Sequence, residues 1–427
     1  MKYHSFPASF LFTVLILSYC PYCLGQYGLS MGADISLPAS QWFQPAAIAW
    51  QDYERLQVST SGELWLSNNQ FTIGSFIRGG NFITEATKND IIGKLRDDNR
   101  YQQGYSLAGL INFQTGTQKW LLSFSYQDPF YIQADDSVTA GLIFRGNAPY
   151  AGMEISDNNV AIRSSAYAMI GLGTAWELGD WTLGIHPKFV WGRRADIIDE
   201  LSYTLFTADN GSLISLQADY DSFATLQGDR GWGLALDAGA MYQSQNGMLW
   251  EVAFRNLGWM QWDGSQSNNS VDVDYEGVVW DNFIQDGSST SNLALGDTLQ
   301  TLFFPDSVRA TYNLPTPGIA MAGLRYPLNE REMIFSSVQL GLTRMPPTTQ
   351  FPLLHVGYQR KIGNNLTLGA HAYGGGMDLY GIGIYGKIEL GPKTRWGLFY
   401  TMDNALGLLI PEISQGLSLR GGLFLRS

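Results

Sequence analysis

Trp181-Thr182-Leu183-Gly184-Ile185-His186-Pro187-Lys188-Phe189-Val190-Trp191 decides the fold. Alternate residues of a strand point to opposite faces. One face here carries Trp181, Leu183, Ile185, Pro187, Phe189 and Trp191. The other carries Thr182, Gly184, His186, Lys188 and Val190. The first face suits lipid, with a tryptophan at each end for the two aromatic belts of a membrane barrel. Pro187 lacks an N–H to donate and marks a bulge or a weakened pairing.

The same period of two recurs along the chain. Trp120, Leu122, Phe124 and Tyr126 alternate with Lys119, Ser123, Ser125 and Gln127. Trp250, Val252 and Phe254 alternate with Glu251, Ala253 and Arg255. Leu366, Leu368, Ala370 and Ala372 alternate with Thr367, Gly369, His371 and Tyr373; Ile382 and Ile384 alternate with Gly381, Gly383 and Tyr385. Turn residues separate the runs: Leu178-Gly179-Asp180, Asn246-Gly247, Gly363-Asn364-Asn365 and Gly391-Pro392. Long alternating runs joined by short turns read as hairpins. The expectation is an all-β fold: a transmembrane antiparallel β-barrel of about 14 strands, within a range of roughly 12–16. The alternating C-terminal stretch 417–427 closes it against the first strand, with Phe424 three residues from the end.

Residues 1–25 read as a signal peptide. Lys2 opens it, Phe10–Leu17 is the apolar core, and Gly25 precedes a cleavage point at or near Gln26. Cys20 and Cys23, the only cysteines, lie in this segment, so the exported chain has neither a disulfide nor a thiolate. Tyr19 and Tyr22 precede them, which does not suit lipidation. No second apolar run approaches the roughly 20 residues of a membrane helix. Only 15% of residues are charged, against about 25% in soluble proteins, while the chain holds 48 Gly, 22 Tyr, 22 Phe and 13 Trp. This balance favours strands facing lipid. The net charge of −12 becomes −13 without residues 1–25, whose single charge is Lys2. An acidic chain of this kind is a poor partner for nucleic acid.

Three regions depart from the strand pattern. Residues 26–54, with Pro38 and Pro45, read as an N-terminal plug-like segment lying inside or beneath the barrel of residues 55–427. Residues 85–100 are charged, with Ile91, Ile92 and Leu95 on one side of a helix. Residues 262–305, rich in Ser, Asn, Asp and Gly, read as a long external loop with one strand near 271–280.

Several stretches resemble a known family in their order: Arg145–Gly152, Tyr167–Gly173, Leu183–Gly192 and Phe254–Trp262. Together they are similar to a family of Bacteroidota outer-membrane barrels, domain of unknown function family 5723, over roughly residues 30–427. More distantly, Gln44-Pro45-Ala46-Ala47 resembles the Asn-Pro-Ala element in the N-terminal plug of FadL-like barrels, with Gln in place of Asn. Those barrels import fatty acids and aromatic hydrocarbons. The resemblance implies a plug contributed by Gln44, Pro45, Ala46 and Ala47.

His186, His355 and His371 fall on the polar strand face. A metal or proton site and ordinary lumen polarity both account for them, and no two stand at ligand spacing. Asp272, Asp274 and Glu276 share one face of a strand, without the glycine turn of a calcium loop. Tyr373 and Tyr385, with His186 and His371, are candidates to line the lumen. Most of Trp120, Trp181, Trp191, Trp250 and Trp396 serve as belt anchors. No phosphate loop or His-Glu-x-x-His helix occurs. A triad assembled from separate strands would leave no local signature. The chain is therefore read as no enzyme, without cofactor or metal, located in the outer membrane. Its partners are outer-membrane lipid, the barrel-assembly machinery and a hydrophobic small molecule. The functional expectation is a channel for hydrophobic or amphipathic solutes. The alternative is a structural or accessory barrel in secretion or surface assembly.

Overall fold

The computed structural model describes residues 38–51, 53, 55–70, 72–74, 89, 92–95, 99–134, 139, 142, 147–210, 213–226, 228–275, 308–343, 345, 352–377, 379–391 and 395–426. The signal-peptide region lies outside them, as do most of 85–100 and all of 276–307; Asn99 and Arg100 of the expected helix instead begin a strand.

Sixteen strands are described. They are β1 (Leu56–Asn68), β2 (Asn99–Thr115), β3 (Gln118–Ala134), β4 (Glu154–Leu178), β5 (Trp181–Thr207), β6 (Ile214–Ala224), β7 (Gly231–Gln243) and β8 (Leu249–Tyr275). They continue as β9 (Val308–Pro315), β10 (Ile319–Pro327), β11 (Glu332–Gly341), β12 (Leu353–Ile362), β13 (Leu366–Gly375), β14 (Tyr380–Leu390), β15 (Arg395–Met402) and β16 (Gly416–Arg426). All pairings are antiparallel, and β16 returns to pair with β1, opposing Phe424 to Ser59. β6 and β7 share one position between β5 and β8, because β6 pairs with their outer halves and β7 with their inner halves. β9 and β10 likewise share the position beside β8. Sixteen strands thus fill the fourteen positions of a closed barrel, which leaves no unpaired sheet edge in the hydrocarbon. No helix among the described residues is long and apolar enough to cross a membrane.

The alternation read from β5 is its burial pattern: Trp181, Leu183, Ile185, Phe189 and Trp191 are exposed outward, and Thr182, Gly184, His186, Lys188 and Val190 are buried inward. Ten steps of about 3.4 Å, tilted about 40°, raise the chain by roughly 25 Å, the height of an apolar barrel band. Arg193 and Arg194 follow Trp191, so the rest of this 27-residue strand continues beyond the band. Pro187 weakens pairing without bulging the strand. It still opposes Leu236 of β7, but the β4 ladder skips it and keeps the same register on either side. Gly179 and Gly363 take positive φ (64° and 62°) in open space, as the tight turns there require.

One boundary is corrected. Residues 262–275 are not loop but the outer half of β8, paired with β6 and β9. Their polar composition is compatible with a strand because this part lies past the apolar band, where outward Gln266 and Asn268 meet water while Ser265, Ser267, Asn269 and Val271 turn inward.

Candidate functional site in the barrel interior

Residues 38–51 and Tyr53 lie within the barrel, with Pro45–Ile48 packed on β3, β4, β5 and β7. They form two short 3-10 helices, Pro38–Trp42 and Pro45–Ile48. Pro45 opens the second, a position where its missing N–H costs nothing. Gln44 precedes it; its Oε1 accepts from Ala46 N at 3.3 Å. Its Nε2 donates to the carbonyls of Ala240 and Val252, 3.3 and 3.2 Å away. At the other end, Lys119 Nζ donates to the carbonyls of Ala49 (2.7 Å) and Gln51 (2.8 Å), where helix-end oxygens lack partners. Trp50 Nε1 donates to Thr182 Oγ1 at 3.1 Å. The wall is shaped to admit this segment. A Cβ on Gly184 would overlap the backbone of Pro45 and Ala46, and one on Gly239 would overlap Gln44 Oε1.

Under this segment four strands contribute to one buried polar network. Ser123 (β3) Oγ lies 2.8 Å from His186 (β5) Nε2. His186 Nδ1 lies 3.3 Å from Asp237 (β7) Oδ2. Lys188 (β5) Nζ reaches the same Oδ2 at 2.5 Å and donates to Asn256 (β8) Oδ1 at 2.8 Å. Asp237 sits where the β7–β8 register shifts, and Asn256 opposite takes φ +48°, which lets its N–H donate to Asp237 Oδ1 at 2.7 Å. The strand between Ser123 and His186 is β4. The His186 ring crosses it over Gly171, where a Cβ would collide with the imidazole, and beside Gly173, where a Cβ would crowd both His186 and Ile48. Trp42 covers the network, its ring 6.2 Å from that of His186 and 5.5 Å from Lys188 Nζ. The Arg255 guanidinium stacks on Phe43 at 4.3 Å.

To either side of this network, Arg325 of β10 and Glu251 of β8 form a two-oxygen ion pair at 3.0 and 3.1 Å, and Arg420 of β16 pairs with Glu63 of β1. His371 and Tyr373 are buried inside β13 and Tyr385 inside β14. The rings of His355 and His371 stand edge to face at 4.4 Å, closer than their positions in the chain suggest. Tyr385 donates to Gln359 Oε1 at 2.6 Å. Gly381 and Gly383 lie directly under the rings of Tyr373 and His371, so these glycines serve ring packing across the ladder. Trp181, Trp191, Trp250 and Trp396 face outward, whereas Trp65 and Trp262 are wholly buried inside.

The structure thus brings Gln44, Pro45, Ala46 and Ala47 to the same wall as His186, while His371, Tyr373 and Tyr385 pack elsewhere. Sequence reading missed Lys119, Ser123, Lys188, Asp237 and Asn256 as members of a site. Their only trace was an inward, polar position in an alternating strand. A Gly-x-Ser-x-Gly string, Gly28–Gly32, is present but lies outside the described residues. Among the described residues no three His, Cys, Asp or Glu side chains converge as metal ligands.

Residues 45–351, well over half of the chain, match the model described as "Family of unknown function (DUF5723)". The chain belongs to this family. None of the curated protein sequences matches it. Among solved structures, it is similar to a TodX deltaS2S3 mutant monoaromatic hydrocarbon channel. The TM-score is 0.50, with 10% identity, over 95% of this chain and 99% of that one. The P. putida toluene transporter TodX gives 0.48 at 11% identity, covering 94% and 97%. A Pseudomonas aeruginosa FadL homologue gives 0.46 at 12%, covering 91% and 93%. At such identities the likeness is one of fold, that of an outer-membrane β-barrel. The matched region of this DUF5723 chain begins at Pro45 and includes Ser123, His186 and Asp237.

Proposed function

We propose that this DUF5723 barrel is an outer-membrane channel for hydrophobic or amphipathic small molecules, with residues 38–53 as its plug. One observation carries the reading: the bore is occupied by a chain segment held through a few hydrogen bonds, on a wall whose glycines make room for it. A barrel of fourteen positions is wider than the roughly eight strands whose side chains can fill an interior, so without this segment the bore would stand open. The apolar faces of Trp42, Phe43 and Ile48 in the bore suit an apolar solute. The TodX deltaS2S3 mutant is described as a monoaromatic hydrocarbon channel, which agrees in solute class, and its likeness carries only the fold. On this reading the chain is exported by cleavage near Gln26 and assembled by the barrel machinery.

The test is transport by the purified barrel in liposomes, before and after deletion of residues 38–51. A fatty acid and a hydrophilic sugar are followed, with heat-modifiable migration as the check on folding. A plugged channel changes its fatty-acid passage or leaks sugar on deletion. Unchanged passage of both ends the transport reading.

The accessory-barrel reading is favoured by a different observation: β4, β5, β6 and β8 continue beyond the band as a paired sheet with its own apolar cluster around Tyr220 and Val271. Stable capture of a protein on that sheet, with no solute passage, would support it.

A further inference from the structure

We propose that Ser123, His186 and Asp237 form a nucleophilic relay inside the barrel, able to take the acyl group of a carboxylic ester that carries an apolar chain. Three strands with different neighbours supply the three groups, and the atoms meet in the order acyl transfer needs. The serine oxygen meets Nε2 and the carboxylate meets Nδ1. With the proton on Nδ1 donated to Asp237, Nε2 is free to accept from Ser123. The arrangement is independent of whether solutes cross the barrel.

Two details distinguish it from a network that merely satisfies buried atoms. Ser125, two residues on and also buried inward, makes no hydrogen bond to another protein group, so an inward position on this strand does not by itself bring a serine to an imidazole. The imidazole, moreover, reaches Ser123 across a whole intervening strand, which only the bare backbone at Gly171 allows. Lys188 and the Asn256 N–H hold the Asp237 carboxylate in place, which keeps His186 in one orientation. Leu121, Ile48, Trp42 and Phe43 belong to one apolar cluster beside the serine, hence the apolar acyl chain.

In the reaction Ser123 Oγ attacks the ester carbonyl carbon as its proton passes to His186 Nε2. The carbonyl–alkoxy bond breaks and the departing alkoxide takes that proton, leaving an acyl-serine and an alcohol. Water, deprotonated by His186, then attacks the acyl carbon, and the acid leaves as the proton returns to Ser123. Asp237 remains a carboxylate throughout. Trp42 covers the site, so entry requires residues 38–53 to move aside.

The test uses the full-length barrel in detergent with an alkyl fluorophosphonate, which loses fluoride to a serine oxygen. The labelled residue is located by mass spectrometry. The label is expected on Ser123 and not on Ser125, and to form at least about tenfold faster in Trp42→Ala. His186→Gln should slow it by about a hundredfold or more, the usual weight of a general base. Heat-modifiable migration verifies each barrel. If His186→Gln does not fold, the Ser123-against-Ser125 comparison within the unaltered protein still decides. No label on Ser123 in either folded wild type or folded Trp42→Ala, or equal labelling of Ser123 and Ser125, overturns the relay.

Discussion

Adding one methyl group at Gly184 should loosen the interior segment without touching the lipid face. A Cβ there would meet the backbone of Pro45 and Ala46, not the movable end of a side chain. Gly184 opposes Ala175 of β4 and Gly239 of β7, so ladders on both sides hold the wall in place. The strain therefore falls on the segment. Overpacking of this kind costs about 1–3 kcal/mol. A shift of that size against the seated state raises the population of displaced segment by about 5- to 150-fold. Sugar leak from liposomes reports that population, and Gly184→Ala should increase it over wild type by a factor in this range. Gly109→Ala is the control, because a Cβ there would meet only Ser59 O at 3.9 Å. Equal leak in the two variants, with both barrels heat-modifiable, would refute the claim that wall glycines seat the segment.

Lys119→Met removes both charged hydrogen bonds to the carbonyls of Ala49 and Gln51. At about 1.5–3 kcal/mol each, their loss should make the 38–53 segment markedly more sensitive to limited proteolysis, read by the rate of the first cut. Glu251→Gln breaks a buried pair with Arg325, both nearly inaccessible. A penalty of about 3–5 kcal/mol is expected, seen as a lower temperature for loss of the fast-migrating folded band. Ile185→Arg places a charge on the lipid face of β5 near mid-band, at a cost of about 2–4 kcal/mol. Ile185 is outward and exposed. Refolding into lipid vesicles should fall, and an unchanged yield would count against a membrane-facing β5.

The barrel was legible because its signal is local. Alternation in Trp181–Trp191 needs only the pleat and a lipid face, and both lie within eleven residues. The turn at Gly179 and the closing strand at 417–426 were legible for the same reason. The expected number of about 14 agrees with the fourteen barrel positions, and two breaks in the chain raise the number of separate strands to sixteen. The break between Ala224 and Gly231 and the one between Pro315 and Ile319 each split one barrel position into two strands. Across the first break, Thr225 N donates to Ala195 O and Asp263 N to Arg230 O, so pairing resumes without a sequence mark. Residues 262–275 look like loop because polarity marks exposure to water, not the absence of a ladder.

The interior site was hidden for a different reason. Ser123 and His186 stand 63 residues apart and are not even on adjacent strands, so no spacing rule reaches them. What could have been noticed is the company the polar residues keep. Gly171, Gly173, Gly184 and Gly239 are inward glycines on three consecutive barrel positions, β4, β5 and β7. Glycine on the inner side of a strand often marks a place where another backbone or group approaches closely. Glycine there means that something else occupies the volume. In β4 it is the His186 ring on its way to Ser123; in β5 it is the backbone of Pro45 and Ala46, and in β7 the side chains of Gln44 and Pro45. The same residue type thus makes room for both the imidazole and the segment above it. The relay and the plug are consequently coupled through one patch of wall: a side chain added at Gly173 would press on both Ile48 and His186 at once.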